Sequence, residues 1–194
     1  MPMSLRARPG YNATVAAVGA AVASMAAFAL VVDALIIRSS PRAVTLGCDI
    51  SSRVSCTAVS SSTWSNLVPL WGTHVPNAVF GLALFPLMTG FLAALMGGFR
   101  PGRPLRILLG CGMAVAALFA LFLLAVSVLI IGRLCPWCLT MDAGTLLMVE
   151  GWVRWMRVTG PSAGHTPIIA SWVSIAVEAL PFAALMALIA AMTV

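Results

Sequence analysis

Five long apolar segments dominate this chain of 194 residues and limit what it can fold into. A helix needs about 20 residues to cross about 30 Å of hydrocarbon, and each segment reaches that length. Hydrophobic residues make up 61% of the sequence and charged residues only 8%, which is more apolar surface than a soluble core can bury. The sequence therefore predicts an all-α integral membrane protein, with helices near residues 13–37, 77–96, 105–131, 136–155 and 168–192.

The arginines indicate the orientation of these helices, and the chain contains no lysine. By the positive-inside rule, the side that carries more cations is cytoplasmic. The N-terminus is therefore expected in the cytoplasm, and an odd number of spans places the C-terminus outside. The net charge of +6 then reflects cytoplasmic loops, so no nucleic-acid partner is expected. Seven of the eleven arginines lie on the predicted cytoplasmic side: Arg6, Arg8, Arg100, Arg103, Arg106, Arg154 and Arg157.

The long segment between the first two helices, residues 38–76, becomes an external loop. Ser60 to Thr63 is typical of a helix cap or a flexible turn. Because nothing repeats at a fixed period, residues 1–194 are expected to form one membrane domain with this loop as its external cap. Six loop residues make the region amphipathic enough to lie on the membrane surface and cover the bundle: Val59, Trp64, Leu67, Val68, Leu70 and Trp71.

The predicted orientation places four of the five cysteines on the external side. Cys48 and Cys56 lie in the loop, and Cys135 and Cys138 lie at the mouth of the fourth helix. Disulfides persist in oxidising compartments such as this one. Cys111 falls inside the third helix and is predicted to be a small buried hydrophobe.

The Cys135–Cys138 spacing admits several kinds of site. Attachment of haem needs a histidine after the second cysteine, where this chain has Leu139. A bridge within one helical turn makes a strained, easily reduced staple. A zinc site built from Cys48, Cys56, Cys135 and Cys138 would have little to stabilise beside an apolar bundle, so no metal is expected. A non-enzymatic membrane protein with such a metal or structural site stays open as an alternative.

Thiol exchange fits the surrounding residues of this motif best. Pro136 favours the first helical turn, which places Cys135 at the N-cap. There the helix dipole and unpaired N–H groups stabilise a thiolate, and Arg133 adds a positive field. Cys138 lies one turn deeper, toward the hydrocarbon. This arrangement suggests an electron path from a soluble thiol to a lipid-soluble acceptor, for which a quinone is suited because it takes two electrons and two protons.

Four motifs taken together resemble the vitamin K epoxide reductase family. They are CDISSRVSC from Cys48 to Cys56, SSTW, PNAVFG, and CPWC at a helix start. The resemblance runs from about Gly47 to Met141 and is to the five-helix bacterial members of the family. The order of the cysteine motifs separates this family from the other quinone-linked, disulfide-forming membrane family, which carries CxxC in its first external loop.

The resemblance implies a four-helix bundle around a quinone, with a fifth helix outside it. Cys48 and Cys56 would be a shuttle pair, reduced by a secreted or periplasmic thioredoxin-fold protein of the DsbA-like kind. Cys56 would pass the electrons to Cys135, and Cys138 would reduce the quinone, which could be menaquinone, vitamin K or ubiquinone. The chain ends at Val194 without a fused thioredoxin-like domain, so the partner is expected to be a separate protein.

The same resemblance implies three residues around the quinone. Asn77 would donate a hydrogen bond to a quinone oxygen, although an interfacial helix cap after Pro76 is the competing interpretation. Phe80 lies on nearly the same helix face as Asn77 and would line the pocket. Trp64 matches the family's loop tryptophan and would lie over the ring.

Asp142 departs from the animal members of the family, which carry a tyrosine there. It lies four residues after Cys138, one turn deeper on the same face. We hypothesise that Asp142, in an apolar pocket that favours its neutral form, hydrogen-bonds the quinone or relays its protons. A carboxylate paired with arginine or in a water-filled crevice is the alternative. Of the other acids, Glu150 is expected to pair with Arg154, and Glu178 has no evident partner.

The sequence therefore predicts a quinone-dependent thiol oxidoreductase that regenerates disulfides in a thioredoxin-fold oxidant. The alternative is the same chemistry with the reduced quinone, or reduced vitamin K epoxide, as the useful product instead of the disulfide. The expected location is a bacterial inner membrane, with the redox cysteines on the external side.

Overall fold

A computed structural model describes residues 8–40, 45–70 and 73–159, and these residues are mostly helical. The long helices correspond to the apolar segments, and the short elements lie in the external loop. In chain order the elements are α1 (Pro9–Ser39), α2 (Cys56–Ser60), a 3₁₀ helix (Thr63–Asn66), β1 (Val68–Leu70), β2 (Thr73–Val75), α3 (Asn77–Met96), α4 (Arg103–Val126) with a π-helical continuation (Ser127–Ile131), and α5 (Pro136–Thr159).

The observed bounds of the helices follow local sequence signals. α1 is longer than the predicted 13–37, because Pro9 suits its first turn and Arg38 complements the dipole in its last turn. α3 has the predicted bounds. The predicted helix 105–131 divides into α4 and the π-helical continuation, which ends where Gly132 takes a left-handed conformation. The fifth predicted helix, 168–192, and Glu178 lie outside the described residues.

Three of the described helices are long and apolar enough to cross a membrane, namely α1, α3, and α4 with its continuation. α5 is not one of them, although its 24 residues would measure about 36 Å. Its composition is less apolar because it contains four charged residues, and the predicted ion pair between Glu150 and Arg154 is confirmed. The protein has an all-α membrane fold in which the less apolar helix packs against its neighbours.

Small residues set the spacing of the helices at the centre of this bundle. α1 packs extensively against α5 and also against α3. A Cβ at Gly144 of α5 would lie 2.7 Å from the backbone nitrogen of Ala23 and 2.8 Å from the carbonyl oxygen of Gly19. Close backbone approach of this kind is how membrane helices associate, because lipid supplies no hydrophobic drive. The α1 face consists of buried alanines: Ala13, Ala16, Ala20, Ala23 and Ala27.

α4 packs against α5, whereas its contact with α3 is at most marginal. At one end of the pair, the guanidinium of Arg106 lies 5.2 Å from the ring centre of Trp155 and donates to the carbonyl oxygens of Pro101 and Thr159. The prediction that Cys111 is buried is wrong. It is exposed on α4, because the helical period directs it away from Leu109 and Met113, which face the bundle.

The external loop folds back over the opposite end of the bundle, where α1 ends and α5 begins. Arg38 at the end of α1 donates to Asn66 Oδ1 at 3.1 Å and to the carbonyl oxygen of His74. The helix-capping role predicted for the serine-rich turn is confirmed, since Ser62 Oγ accepts from the Ser65 N–H at 3.3 Å. Trp64 covers α4 through an edge-on contact with Phe122.

Replacing Gly144 by alanine is expected to destabilise the bundle by about 1–3 kcal/mol, because the new methyl group overpacks the contact with α1. Thermal unfolding in detergent would measure the loss. Gly90→Ala is the matched control, since a Cβ there meets nothing within 4 Å. If alanine raised the unfolding temperature equally at both positions, helix propensity would dominate and close packing of α1 on α5 would be refuted.

Candidate redox site

A short polar network closes the loop that carries Cys48 and Cys56. Asp49 accepts hydrogen bonds from the Leu46 N–H at 3.0 Å and from the Thr57 N–H at 3.1 Å, and its carboxylate also binds the Thr57 hydroxyl. Burial raises the pKa of Asp49, but the bonds from Thr57, Ser55 and Leu46 outweigh burial and lower it to about 2. The network holds the two ends of the loop together, and Cys48 and Cys56 are joined by a disulfide.

The two sulfurs of this disulfide differ in accessibility. Cys56 begins α2 and is completely buried, whereas Cys48 is half-buried. The start of α2 is fixed by Ser55, whose hydroxyl accepts from the Ala58 N–H at 3.1 Å. A molecule that approaches this disulfide from solvent therefore meets Cys48 first.

A two-strand bridge joins the loop to the segment that precedes α5. Leu134 donates its N–H to the carbonyl oxygen of Arg53 at 2.8 Å, and Ser55 donates its N–H to the carbonyl oxygen of Leu134 at 3.0 Å. The bridge pairs Val54 with Leu134 in parallel. Because Cys135 follows Leu134 directly and Cys56 follows Val54 after Ser55, the pairing brings the sulfurs of Cys56 and Cys135 to 3.6 Å.

The structure confirms the predicted N-cap position of Cys135. α5 begins at Pro136, and the Cys138 N–H donates to the sulfur of Cys135 at 3.4 Å. A hydrogen bond from the Cys138 side chain, helped by the N–H groups of Cys138 and Trp137, lowers the pKa of the Cys135 thiol despite its burial. The side chain of Arg133, which was expected to add a positive field, is exposed. The thiolate of Cys135 is therefore favoured by the Cys138 side chain and by the N–H groups at the helix terminus.

A small space of about 40 Å³ lies beside this thiol pair. Cys138 is half-buried there, and the carboxyl group of Asp142 is buried one turn further along α5. Trp64 closes the space from the loop side, and the π-helical continuation of α4 contributes the buried Ser127. A π-helical turn beside a reactive group is a frequent feature of functional sites.

A larger, almost wholly apolar cavity of about 280 Å³ occupies the gap between α3 and α4, with α5 as its third wall. Asn77 and Phe80 line it, together with phenylalanines, methionines and small residues. Two of its lining residues, Leu84 and Val115, are also exposed on the outside of the bundle, so the cavity opens sideways. An opening of this kind faces hydrocarbon when the bundle is in a membrane.

Asn77 connects the loop with this cavity. Its amide nitrogen donates to the carbonyl oxygen of Trp64 at 2.8 Å, and its oxygen accepts from the Leu67 N–H at 3.3 Å. An amide nitrogen carries two protons, so this pairing leaves one for another acceptor. A third space of about 50 Å³, lined by both Asn77 and Cys138, adjoins the other two.

The structure therefore divides the residues predicted around the quinone between two neighbouring spaces. Asn77 and Phe80 line the larger one, while Trp64 and Asp142 line the smaller one with the thiols. Leu123 and Met141 line both spaces. Neither was predicted as a site residue, because single apolar residues in membrane helices carry no distinguishing signal.

Asp33 of α1 also lies at the site, although it was not predicted as a site residue. Its carboxylate oxygen lies 3.8 Å from the sulfur of Cys48. A signal for it was present, because an acid within a membrane helix is unusual and usually functional. His74, in contrast, is exposed in the loop.

The family model described as the Vitamin K epoxide reductase family matches residues 14–150, which include both cysteine pairs and the cavity. The chain belongs to the vitamin K epoxide reductase family. It is therefore a membrane oxidoreductase of a family that is associated with quinones and works in general with thioredoxin-like partners. A comparison with curated protein sequences finds no match.

The Asp49 network predicts acid sensitivity of the loop. The pKa of Asp49 is lower in the folded state, so its contribution to stability is complete above its ordinary value near 4 and is lost as the pH falls toward about 2. Cleavage of the loop by a protease that is active in acid would follow the loss between pH 5 and pH 2. Asp49→Asn should show the loosened loop already at neutral pH and a flatter pH response. An unchanged acid response in this variant would contradict the assignment.

Proposed function

We propose that this protein oxidises a reduced thioredoxin-fold partner and passes the electrons to a membrane quinone. The observation that carries the proposal is the 3.6 Å distance between the sulfurs of Cys56 and Cys135. At this distance the two cysteine pairs are neighbours, and electrons can pass from one pair to the other. Two thiol pairs at this distance can exchange a disulfide with small side-chain rotations. The electrons then move from a thiol donor in water to an acceptor in the lipid.

Electrons enter at Cys48 because it is the more accessible sulfur of the loop pair. A thiolate of the partner attacks Cys48, and Cys56 leaves as a thiolate. The second thiol of the partner then displaces Cys48, so the partner departs with a disulfide and the loop pair becomes a dithiol. A separate secreted or periplasmic protein supplies these electrons.

Exchange within the protein follows the short distance between the pairs. The Cys56 thiolate attacks Cys135 in the oxidised Cys135–Cys138 pair, and Cys138 leaves. Cys48 then attacks Cys56, which restores the loop disulfide and releases Cys135 as a thiolate. The arrangement with a Cys48–Cys56 disulfide and two thiols at Cys135 and Cys138 corresponds to the product of this exchange.

The residues around the cavity fit a quinone. A flat apolar ring with a prenyl tail needs a hydrophobic space that opens to lipid, and the 280 Å³ cavity between α3 and α4 offers one. A bound quinone supplies an acceptor for two electrons and two protons. Asn77 holds one amide proton for a carbonyl oxygen, Phe80 excludes water, and Cys138 lies at the junction with the cavity.

Asp142 is assigned the role of holding a proton near the thiols. It is 7% exposed and lines the same small space as Cys138. A carboxyl group buried in apolar surroundings favours its neutral form, which can donate a proton or a hydrogen bond. The alternative of a four-sulfur zinc site is disfavoured by the Cys48–Cys56 bond, because a metal needs thiolates.

The proposed setting is a bacterial inner membrane, with the N-terminus in the cytoplasm and the loop outside. The excess of arginines on one side of the helices supports this orientation. An oxidising compartment on the side of the loop suits disulfide formation in secreted proteins.

Cys135→Ser is expected to abolish quinone reduction while Cys48 and Cys56 still exchange with a reduced thioredoxin-fold donor. Serine cannot form the disulfide that links the pairs. Absorbance of the quinone measures turnover, and thiol alkylation measures exchange. Cys111→Ser, at the exposed cysteine of α4, is the matched control and should turn over normally. Full turnover of Cys135→Ser would refute the route, and stoichiometric zinc without turnover in the unmodified protein would favour the metal-binding alternative.

Asp142→Asn is expected to lower the rate of quinone reduction by about 10²-fold, the usual contribution of a positioned acid or base. Asparagine keeps the shape of the side chain but cannot exchange the proton. Glu150→Gln, at another acid of α5, is the control. Unchanged turnover and quinone affinity of Asp142→Asn would contradict the proton-holding role.

A further inference from the structure

We propose that Asp33 is the general base that takes the proton from Cys48 when the loop disulfide re-forms, a role that rests on the function proposed above. The carboxylate oxygen of Asp33 lies 3.8 Å from the sulfur of Cys48. The carboxylate and the sulfurs of Cys48 and Cys56 all lie within 4.8 Å of one another. Asp33 therefore touches the atom that reacts.

The fold gives Asp33 this position. α1 contains 31 residues and is about 46 Å long, which exceeds the hydrocarbon thickness of about 30 Å. Asp33 is half-buried and lies six residues before the end of α1, at the end that carries the loop. Leu30 of α1 and Leu46 and Cys56 of the loop belong to one buried cluster, which holds the loop against α1.

The proposed step balances in atoms and charge. Before it, Cys56 and Cys135 share a disulfide and Cys48 is a thiol. Asp33 takes the proton of Cys48, the sulfur of Cys48 forms a bond to Cys56, and the Cys56–Cys135 bond breaks. Cys135 leaves as a thiolate that carries the electron pair, and Asp33 becomes a neutral carboxylic acid.

The charge on Asp33 gives this step a direction. Its negative charge opposes a thiolate at Cys135. Once Asp33 holds the proton, that opposition is removed at the moment when Cys135 acquires its own negative charge. One unit of negative charge thus moves from Asp33 to Cys135, and the helix N-terminus of α5 receives it. Loss of this proton from Asp33 to solvent then removes the acid that the reverse attack would need to protonate Cys48.

The pH dependence of the reaction in a variant without Asp33 distinguishes a general base from a purely structural residue. The ionisable groups that act on Asp33 or lie against it are Cys48, Cys56 and Asp49 of the loop and Cys135 and Cys138 at the start of α5. When Asp33 is replaced, Cys48 must lose its proton to water instead of to the carboxylate. Resolution of the mixed disulfide in Asp33→Asn should then become faster as the pH rises toward the pKa of an ordinary thiol, about 8.5.

The experiment uses the full chain in detergent with a reduced thioredoxin-fold donor and a quinone. Samples are quenched in acid, alkylated and digested, and mass spectrometry quantifies the peptide pair linked through Cys56 and Cys135. Asp33→Asn is expected to accumulate this linked pair and to resolve it about 10²-fold more slowly at pH 7. Cys48→Ser, which lacks the resolving thiol, provides the reference for full accumulation, and Asp33→Glu should restore most of the rate.

The proposal would be overturned if the unmodified protein reduces quinone and Asp33→Asn resolves the Cys56–Cys135 disulfide at the same rate as the unmodified protein. Failure of the unmodified protein to reduce quinone would instead overturn the function proposed above. A second variant, Asp33→Ala, is measured in the same way, so that the test does not depend on the folding of Asp33→Asn alone. If neither variant recovers at high pH, Asp33 maintains the structure of the site and the proposal is wrong.

Discussion

The backbone bridge between Val54 and Leu134 is the contact on which the site depends. Two hydrogen bonds tie the external loop to the segment before α5, and the residues that follow are Ser55–Cys56 on one side and Cys135 on the other. Sulfur atoms from cysteines 79 residues apart thereby lie 3.6 Å from each other. Backbone hydrogen bonds suit this task because they fix the register of both segments.

The bundle beneath the bridge combines a closely packed side and an open side. α1 and α5 approach through glycine and alanine, which leaves little freedom between them. α3 and α4 stay apart, and the space between them is apolar and opens sideways. The rigid side carries both Asp33 and the helix N-terminus at Cys135, while the open side offers room for a ligand from the lipid. The α1–α5 side therefore fixes the geometry at the thiols, and the α3–α4 side provides access to them from the lipid.

The approximate positions of the described helices, the N-cap position of Cys135 and the Glu150–Arg154 pair were predictable because each depends on neighbours within one or two helical turns. The bounds agree only for α3, since α1 and α5 extend beyond the predicted 13–37 and 136–155. The exposure of Cys111 was not, since a helix without a polar face gives no sign of which side meets the bundle. The hydrogen bonds of Asn77 to Trp64 and Leu67 also escaped prediction, because they depend on where the loop returns. The contact of Asp33 with Cys48 was missed for the same reason.

The sequence by itself determined the membrane fold, the two cysteine pairs and the family, since these follow from composition, spacing and local motif. The tertiary structure decided which sulfurs meet, which of them is accessible, and which acid lies beside them. It also separated the residues near the thiols from those in the apolar cavity. Such relations join residues far apart in the chain, and they are set by helix packing and backbone pairing that no local pattern encodes.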